Sequence, residues 1–299
     1  MKEFNKNLAM RFLIALIVLP ILFVAIFIQT SFDHLLLFLM TLTMSIIGTL
    51  EMISIFKAQN IFIPKALTVC ASVLLPITAY LINNNYIGEY ITLPGVSLEI
   101  LFTLFVLVGL TTGILKKEAT DFKSTLFRIS GTILTLIYPA YLICYVVKMG
   151  KLEYSNFVYL SFFVLGFAND VFAYSCGLLF GKKSLKPFTV SPKKSLAGYI
   201  GGILFAILFG IGLYFLKPIL FGNKIWFAIV SALLVALLCN VGDLVESAFK
   251  RSSNLKDSGT VMLGRGGVLD SIDSLLFAAP LFYYLLFFLQ NFELLQRIG

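Results

Sequence analysis

"LAGYIGGILFAILFGIGLYFL", Leu196 to Leu216, contains no charged side chain. At 1.5 Å per residue an α-helix of this length reaches roughly 30 Å, the thickness of a bilayer's hydrocarbon core. A barrel strand would need only about 10 residues to cross, so the run reads as a membrane helix.

Working outward, comparable apolar runs occur at Phe12–Gln29, Leu35–Phe56, Ala66–Ile82, Val96–Leu115, Phe127–Val147, Ser155–Phe180, Ile225–Asn240 and Asp273–Leu289. The chain of 299 residues is 59% hydrophobic and 13% charged, whereas a soluble domain carries about a quarter charged residues. These features predict an all-α, polytopic integral membrane protein with about nine transmembrane helices. About five spans fall in residues 1–150 and about four in residues 151–299, the region expected to be catalytic. The Ser155–Phe180 run is long enough to be tilted, or broken at Gly166. Lys2, Lys6 and Arg11 precede the first run as they would in a signal peptide, but no small-residue cleavage site follows, so this run is expected to stay as a membrane helix.

Nine spans with the N-terminus inside leave only Lys148, Lys151, Lys217, Lys224 and Arg297 of the 23 basic residues in outside loops. That segregation satisfies the positive-inside rule and orients the chain. The net charge of +8 is then explained by loops flanking spans and facing anionic headgroups, and no nucleic-acid motif accompanies it. Cys70, Cys144, Cys176 and Cys239 all fall within spans without metal-ligand spacing and read as small buried apolar residues. His34, beside Asp33, is the one histidine, which excludes a histidine-based metal site or triad. Glu51, near the end of the second run, admits both an interfacial and a functional reading.

Polar residues concentrate in the second half, in three places that this topology puts on or near the inner face. "GFANDVFAY" sets Asn169 and Asp170 inside a span. An ionised carboxylate at mid-bilayer costs roughly 2.5–3.5 kcal/mol, so Asp170 needs a partner, a water-filled cavity or a proton. "GKKSLKPFTVSPKKSLAGYIGG" combines Ser191, Lys193 and Lys194 with the start of a helix, a source of ammonium and N–H donors for phosphate. "CNVGDLVESAFKRSSNLKDSGTVMLGRGGVLDSIDS" aligns Asp243, Glu246, Ser247 and Lys250 on one helix face and Asp270, Asp273 and Ser274 on another. Lys250, Arg251, Lys256 and Arg265 lie in or beside the loop between them, with Gly264, Gly266 and Gly267 suited to close backbone approach or a tight re-entry. Carboxylates for a hard cation beside fixed cationic donors are what phosphoryl or nucleotidyl transfer requires.

Ser247–Ser274 resembles the signature of the phosphatidate cytidylyltransferases, or CDP-diacylglycerol synthases, at Ser247, Lys250, Arg251, Lys256, Asp257, Gly266, Gly267, Asp270 and Asp273. Asn169, Asp170, Gly181, Lys182, Ser191, Pro192, Lys193, Lys194, Gly198 and Asp243 extend the likeness over about residues 165–280. Two positions depart from it: Arg265 stands where the family has histidine and Ser271 where it has arginine. Arg265 stays protonated, so it can bind phosphate but cannot shuttle a proton.

The resemblance implies Mg2+-dependent reaction of CTP with phosphatidate to give CDP-diacylglycerol and pyrophosphate. It implies Asp243 and Asp270 as metal ligands; the position of Asp273 three residues on adds the expectation of a further ligand or a second-cation ligand, and a second cation could be monovalent or divalent. Lys250, Arg251, Lys193 and Lys194 would clamp phosphates, with Ser191, Ser247, Lys256, Arg265, Gly266, Gly267, Asn169 and Asp170 around them. It further implies a homodimer in the cytoplasmic membrane, facing CTP on one side and lipid on the other. Competing readings are a CTP-dependent polyprenol or phytol kinase and an ion-coupled transporter. The latter would need a matching pair of polar, interrupted helices in the N-terminal half, where none is found.

Overall fold

The structure, a computed structural model, describes residues 18–28, 31–83, 97–114, 122–262 and 266–298. Its elements are helical apart from one bridge between Met262 and Gly266. Among the described residues seven helices are long and apolar enough to cross a membrane: His34–Ala58, Lys65–Ile82, Thr125–Lys151, Ser155–Lys183, Leu196–Leu216, Ile225–Ser252 and Leu269–Phe292. The expected first and fourth spans fall on shorter apolar helices, Val18–Ile28 and Leu98–Thr112. Each of these borders residues outside those described, among them Lys2, Lys6, Arg11, Asn84, Asn85, Pro94, Gly95, Lys116 and Lys117. The chain is an all-α, multi-pass membrane protein.

We label the helices α1 (Val18–Ile28), α2 (Ser31–Ala58), α3 (Lys65–Asn83), α4 (Leu98–Ile114), α5 (Phe122–Thr135), α6 (Cys144–Lys148), α7 (Ser155–Phe180), α8 (Leu196–Leu216), α9 (Ile225–Ser252) and α10 (Leu269–Ile298). They form two compact units. One contains residues 1–148 and 249–271, the other residues 149–248 and 272–299.

In the first unit, Leu75, Leu98, Phe105, Leu136, Ala140 and Cys144 belong to one buried cluster among α3, α4, α6 and the turn after α5. Phe38 stacks on Tyr80 and Phe102 on Tyr141, each pair with centroids 4.1 Å apart. After α5 the chain passes through a π-helical turn, Leu136–Tyr141, around Pro139. Proline removes a backbone donor, and Ser45 of α2 donates its hydroxyl to the Pro139 carbonyl at 3.2 Å. Two helices leave by the same device. Asn60 (φ 60°) follows α2 and Asn254 (φ 54°) follows α9, with the N–H of Ile61 donating to Phe56 O and that of Leu255 to Lys250 O. These left-handed asparagines satisfy carbonyls that a helix end leaves open. The two ends are tied together: Gln59 Nε2 donates to Ser252 Oγ at 2.7 Å, and Ser253 Oγ donates to Ile55 O at 3.0 Å.

In the second unit, α7 and α8 lie close because glycines face α7. A Cβ at Gly198 would stand 2.7 Å from Ala173 O, and one at Gly202 would stand 2.7 Å from Asn169 O. Small residues four apart are a common way for membrane helices to approach. α7 runs unbroken through Gly166, correcting the alternative of a break there. A Cβ at Gly166 would strike the Leu275 side chain at 2.5 Å, so that glycine makes room for a neighbour. Cys144 and Cys239 are buried as expected, whereas Cys70 is exposed and Cys176 half-buried.

Candidate active site

The first unit brings Lys250, Gly266, Gly267 and Asp270 together. Lys250 occupies the last turn of α9 and Asp270 the first turn of α10, where a carboxylate is favoured by the helix dipole. Lys250 Nζ donates to Asp270 Oδ1. Asp270 Oδ2 accepts from Gly267 N at 2.7 Å, Ser258 N at 2.8 Å and Ser258 Oγ at 3.0 Å.

The glycines beside Asp270 have a definite reason. Gly266 has φ +103°, and a Cβ there would lie 2.5 Å from Asp270 Oδ2. At Gly267 a Cβ would run into Ser258 Oγ and would stand 2.5 Å from Glu51 Oε2. The close backbone approach expected of these glycines is therefore to the protein's own carboxylates. Gly264 and Arg265 lie outside the described residues. Ser271, at the position where the family pattern has arginine, donates its hydroxyl to Gly267 O at 3.3 Å.

Glu51 and Ser258 complete this cluster, and neither was among the expected site residues. Glu51 is 6% exposed on α2. Its Oε1 accepts from Val268 N at 2.8 Å, and its Oε2 accepts from Leu269 N at 2.8 Å and Ser258 Oγ at 3.0 Å. A hydrogen bond to a charged group contributes about 1.5–3 kcal/mol. The two from the backbone N–H groups of Val268 and Leu269, about 3–6 kcal/mol together, already offset the roughly 2.5–3.5 kcal/mol cost of placing a carboxylate in a membrane helix. That cost is also the signal by which Glu51 stands out in sequence: an acid in an apolar run needs a reason.

Two other expected site residues of this unit turn outward. Arg251 is exposed, with Nη1 donating to Leu255 O at 2.9 Å, and Lys256 is exposed.

In the second unit, Lys194 pairs with Asp243. The loop before α8 is shaped by its own backbone: Leu196 N donates to Leu185 O at 2.8 Å, and Ala197 N to Ser184 Oγ at 2.9 Å. Ser195 then caps α8, accepting from Gly198 N at 3.2 Å, which satisfies one of the helix's open donors. Lys193 is exposed and Ser191 half-buried in the same loop. Ser247 and Glu246 are buried on α9.

Deeper on α7, Asn169 is fully buried and its Nδ2 donates to Asp170 Oδ1 and Asn240 Oδ1, both at 3.2 Å. Asp170 thus has the amide partner its position demands, and it is exposed on the α7 surface of its unit. Asp273 is buried, its Oδ1 accepting from Ser274 Oγ at 3.1 Å. α10 passes α9 at Gly242, where a Cβ would stand 2.6 Å from Asp273 O.

Asp270 belongs to the first unit, Asp243 and Asp273 to the second. Among the described residues no three His, Cys, Asp or Glu side chains gather into a group that could hold a metal ion. Asp243 and Asp270 each face a lysine, so positive charge already stands at both carboxylates.

The pattern of the Cytidylyltransferase family matches residues 9–289. Among curated proteins, the chain is 30% identical to a phosphatidate cytidylyltransferase of Aquifex aeolicus over 249 residues, 81% of this chain and 88% of that one. It is 29% identical to one of Staphylococcus haemolyticus over 79% of this chain and 82% of that protein. A third, from Haemophilus influenzae, is 45% identical over 135 residues, covering 44% of this chain and 46% of its own length.

Proposed function

This chain belongs to the cytidylyltransferase family, and from that premise we propose that it is a phosphatidate cytidylyltransferase, converting CTP and phosphatidate into CDP-diacylglycerol and pyrophosphate. The observation that carries this reading is the start of α10. There an aspartate with only 7% of its side chain exposed, Asp270, is held by Lys250 and by the N–H groups of Ser258 and Gly267, inside the matched residues. The names of the relatives supply the lipid substrate.

A phosphate oxygen of phosphatidate attacks the α-phosphorus of CTP in line, forming a new P–O bond. The bond from the α-phosphorus to the bridging oxygen breaks, and its electrons leave with pyrophosphate. The attacking phosphate is already anionic at neutral pH, so neither a strong base nor a covalent enzyme intermediate is required. Catalysis of this kind rests on positioning and charge neutralisation. Lys250, Arg251, Lys193 and Lys194 supply the cationic donors, and Ser191, Ser247, Lys256, Arg265, Gly266 and Gly267 the surrounding contacts. Asp170 would line the approach, held by the amide of the buried Asn169.

Asp243, Asp270 and Asp273 are each proposed as a carboxylate ligand for Mg2+, which when bound would neutralise phosphate charge. The donors fit a hard cation in kind, being carboxylate oxygens, two of which already balance an ammonium group. A second cation, a homodimeric assembly and contacts with membrane lipid belong to the same reading. Location in the cytoplasmic membrane, with the site facing the cytoplasm, is supported by the segregation of basic residues.

The test is incubation of purified protein with labelled CTP, Mg2+ and phosphatidate. Formation of CDP-lipid and pyrophosphate supports the reading. Release of CDP with a phosphorylated alcohol as product would replace it with a lipid kinase, and absence of any nucleotide turnover would refute it.

A further inference from the structure

The geometry points to Glu51 as a positioning residue for Asp270, holding it through Ser258 and through the first N–H groups at the start of α10. This rests on the cytidylyltransferase reading for Asp270's importance, but its structural content stands apart from that reading.

Three observations converge on it. The N–H groups of Val268 and Leu269 are among those a helix start leaves without an intrahelical partner, and Glu51 accepts both at 2.8 Å. Ser258 Oγ lies 3.0 Å from Glu51 Oε2 and 3.0 Å from Asp270 Oδ2. A hydroxyl has one proton to donate, so the two carboxylates share one donor and are coupled through it. Finally, a Cβ at Gly259 or Gly267 would come within 2.5 Å or 2.6 Å of Glu51 Oε1, so the turn carries glycine at the points where it wraps this carboxylate.

Glu51 itself touches no expected substrate ligand except through Ser258 and the turn. Groups that orient a metal-binding or catalytic side chain typically change affinity or activity 10–100-fold when altered. Glu51→Gln keeps the size of the side chain but turns an –NH2 toward the N–H of Val268 or Leu269, setting donor against donor. Glu51→Asp keeps the charge but shortens the reach by one methylene.

The experiment uses the full-length protein in detergent with two readouts. For turnover, Glu51→Gln is expected to lower kcat about 10–100-fold and to raise the Mg2+ concentration for half-maximal rate by a similar factor. KM for phosphatidate should stay within about twofold, since that change removes no substrate contact. Glu51→Asp should recover part of the loss, and Ser258→Ala should show the same pattern more weakly. For structure, amide hydrogen exchange in the segment Ser258–Asp270 should quicken in Glu51→Gln while exchange in α8 stays as in the wild type.

Wild-type kcat, Mg2+ dependence and exchange in Glu51→Gln would overturn the inference. So would faster exchange throughout the protein, which would mark Glu51 as a general structural residue. If Glu51→Gln does not purify as a monodisperse protein, Ser258→Ala decides by the same readouts. If the wild type has no cytidylyltransferase activity, the functional reading fails while the exchange measurement still decides the role of Glu51.

Discussion

Lys250 and Asp270, the last turn of one helix and the first turn of another, form an ion pair whose side chains are only 10% and 7% exposed. Removing one partner of such a pair strands the other as a buried charge and costs about 3–5 kcal/mol, whereas replacing both by apolar groups of similar size is often neutral. Asp270→Asn is therefore expected to lower the thermal midpoint in detergent and to abolish turnover. Lys250→Met combined with Asp270→Leu should restore much of the midpoint and none of the activity. Thermal melts beside a CDP-lipid assay separate the two effects, and recovery of turnover by the apolar pair would remove Asp270 from the chemistry.

The pair between Lys194 and Asp243 is different in kind. Its side chains are 37% and 26% exposed, and solvent-screened pairs contribute only about 0–1 kcal/mol. Asp243→Asn should leave the thermal midpoint close to that of the wild type. If Asp243 serves the transition state as proposed, turnover should nonetheless fall by about 100-fold or more. Parallel loss of stability and activity would assign Asp243 to the scaffold instead.

Glycine replacements give a graded test of the turn before α10. Gly266→Ala meets both the strained φ of +103° and the Asp270 carboxylate, and Gly267→Ala meets Ser258 and Glu51. Each is expected to destabilise by about 1–3 kcal/mol. Gly212→Ala in α8 is the contrasting case, since nothing lies within 4 Å of its added Cβ. That substitution should stabilise by about 0.5–1 kcal/mol through helix propensity. Differential scanning of the three proteins in one detergent ranks them.

Hydropathy alone marked α7 and α8 with their observed limits, Ser155–Phe180 and Leu196–Leu216. The apolar runs Ile225–Asn240 and Asp273–Leu289 are shorter than the helices that contain them, Ile225–Ser252 and Leu269–Ile298, whose polar ends were expected from the spacing of Asp243 to Lys250 and Asp270 to Ser274. The reason is physical: an apolar run measures what the lipid requires, while a helix continues as long as its hydrogen bonds and caps allow. The polar extensions carry Asp243, Lys250 and Asp270, and there the i, i+3, i+4 spacing of polar residues, not hydropathy, was the signal for helix. Glu51 was ambiguous because its partners lie 207 to 218 positions away. No local pattern encodes such a pairing, and only the folded chain distinguishes a buried anchor from an interfacial acid.

The grouping of residues 249–271 with the N-terminal helices has a consequence for how the protein is made. Translation delivers α2 first, and the donors that meet Glu51 emerge 207 or more residues later. At about 5–20 residues per second, the newly inserted helix waits on the order of 10 to 40 seconds with a carboxylate whose eventual partners have not been synthesised. During that interval its charge must be met by water, a proton or the insertion machinery, so the assembly of this turn is a late event by order of birth.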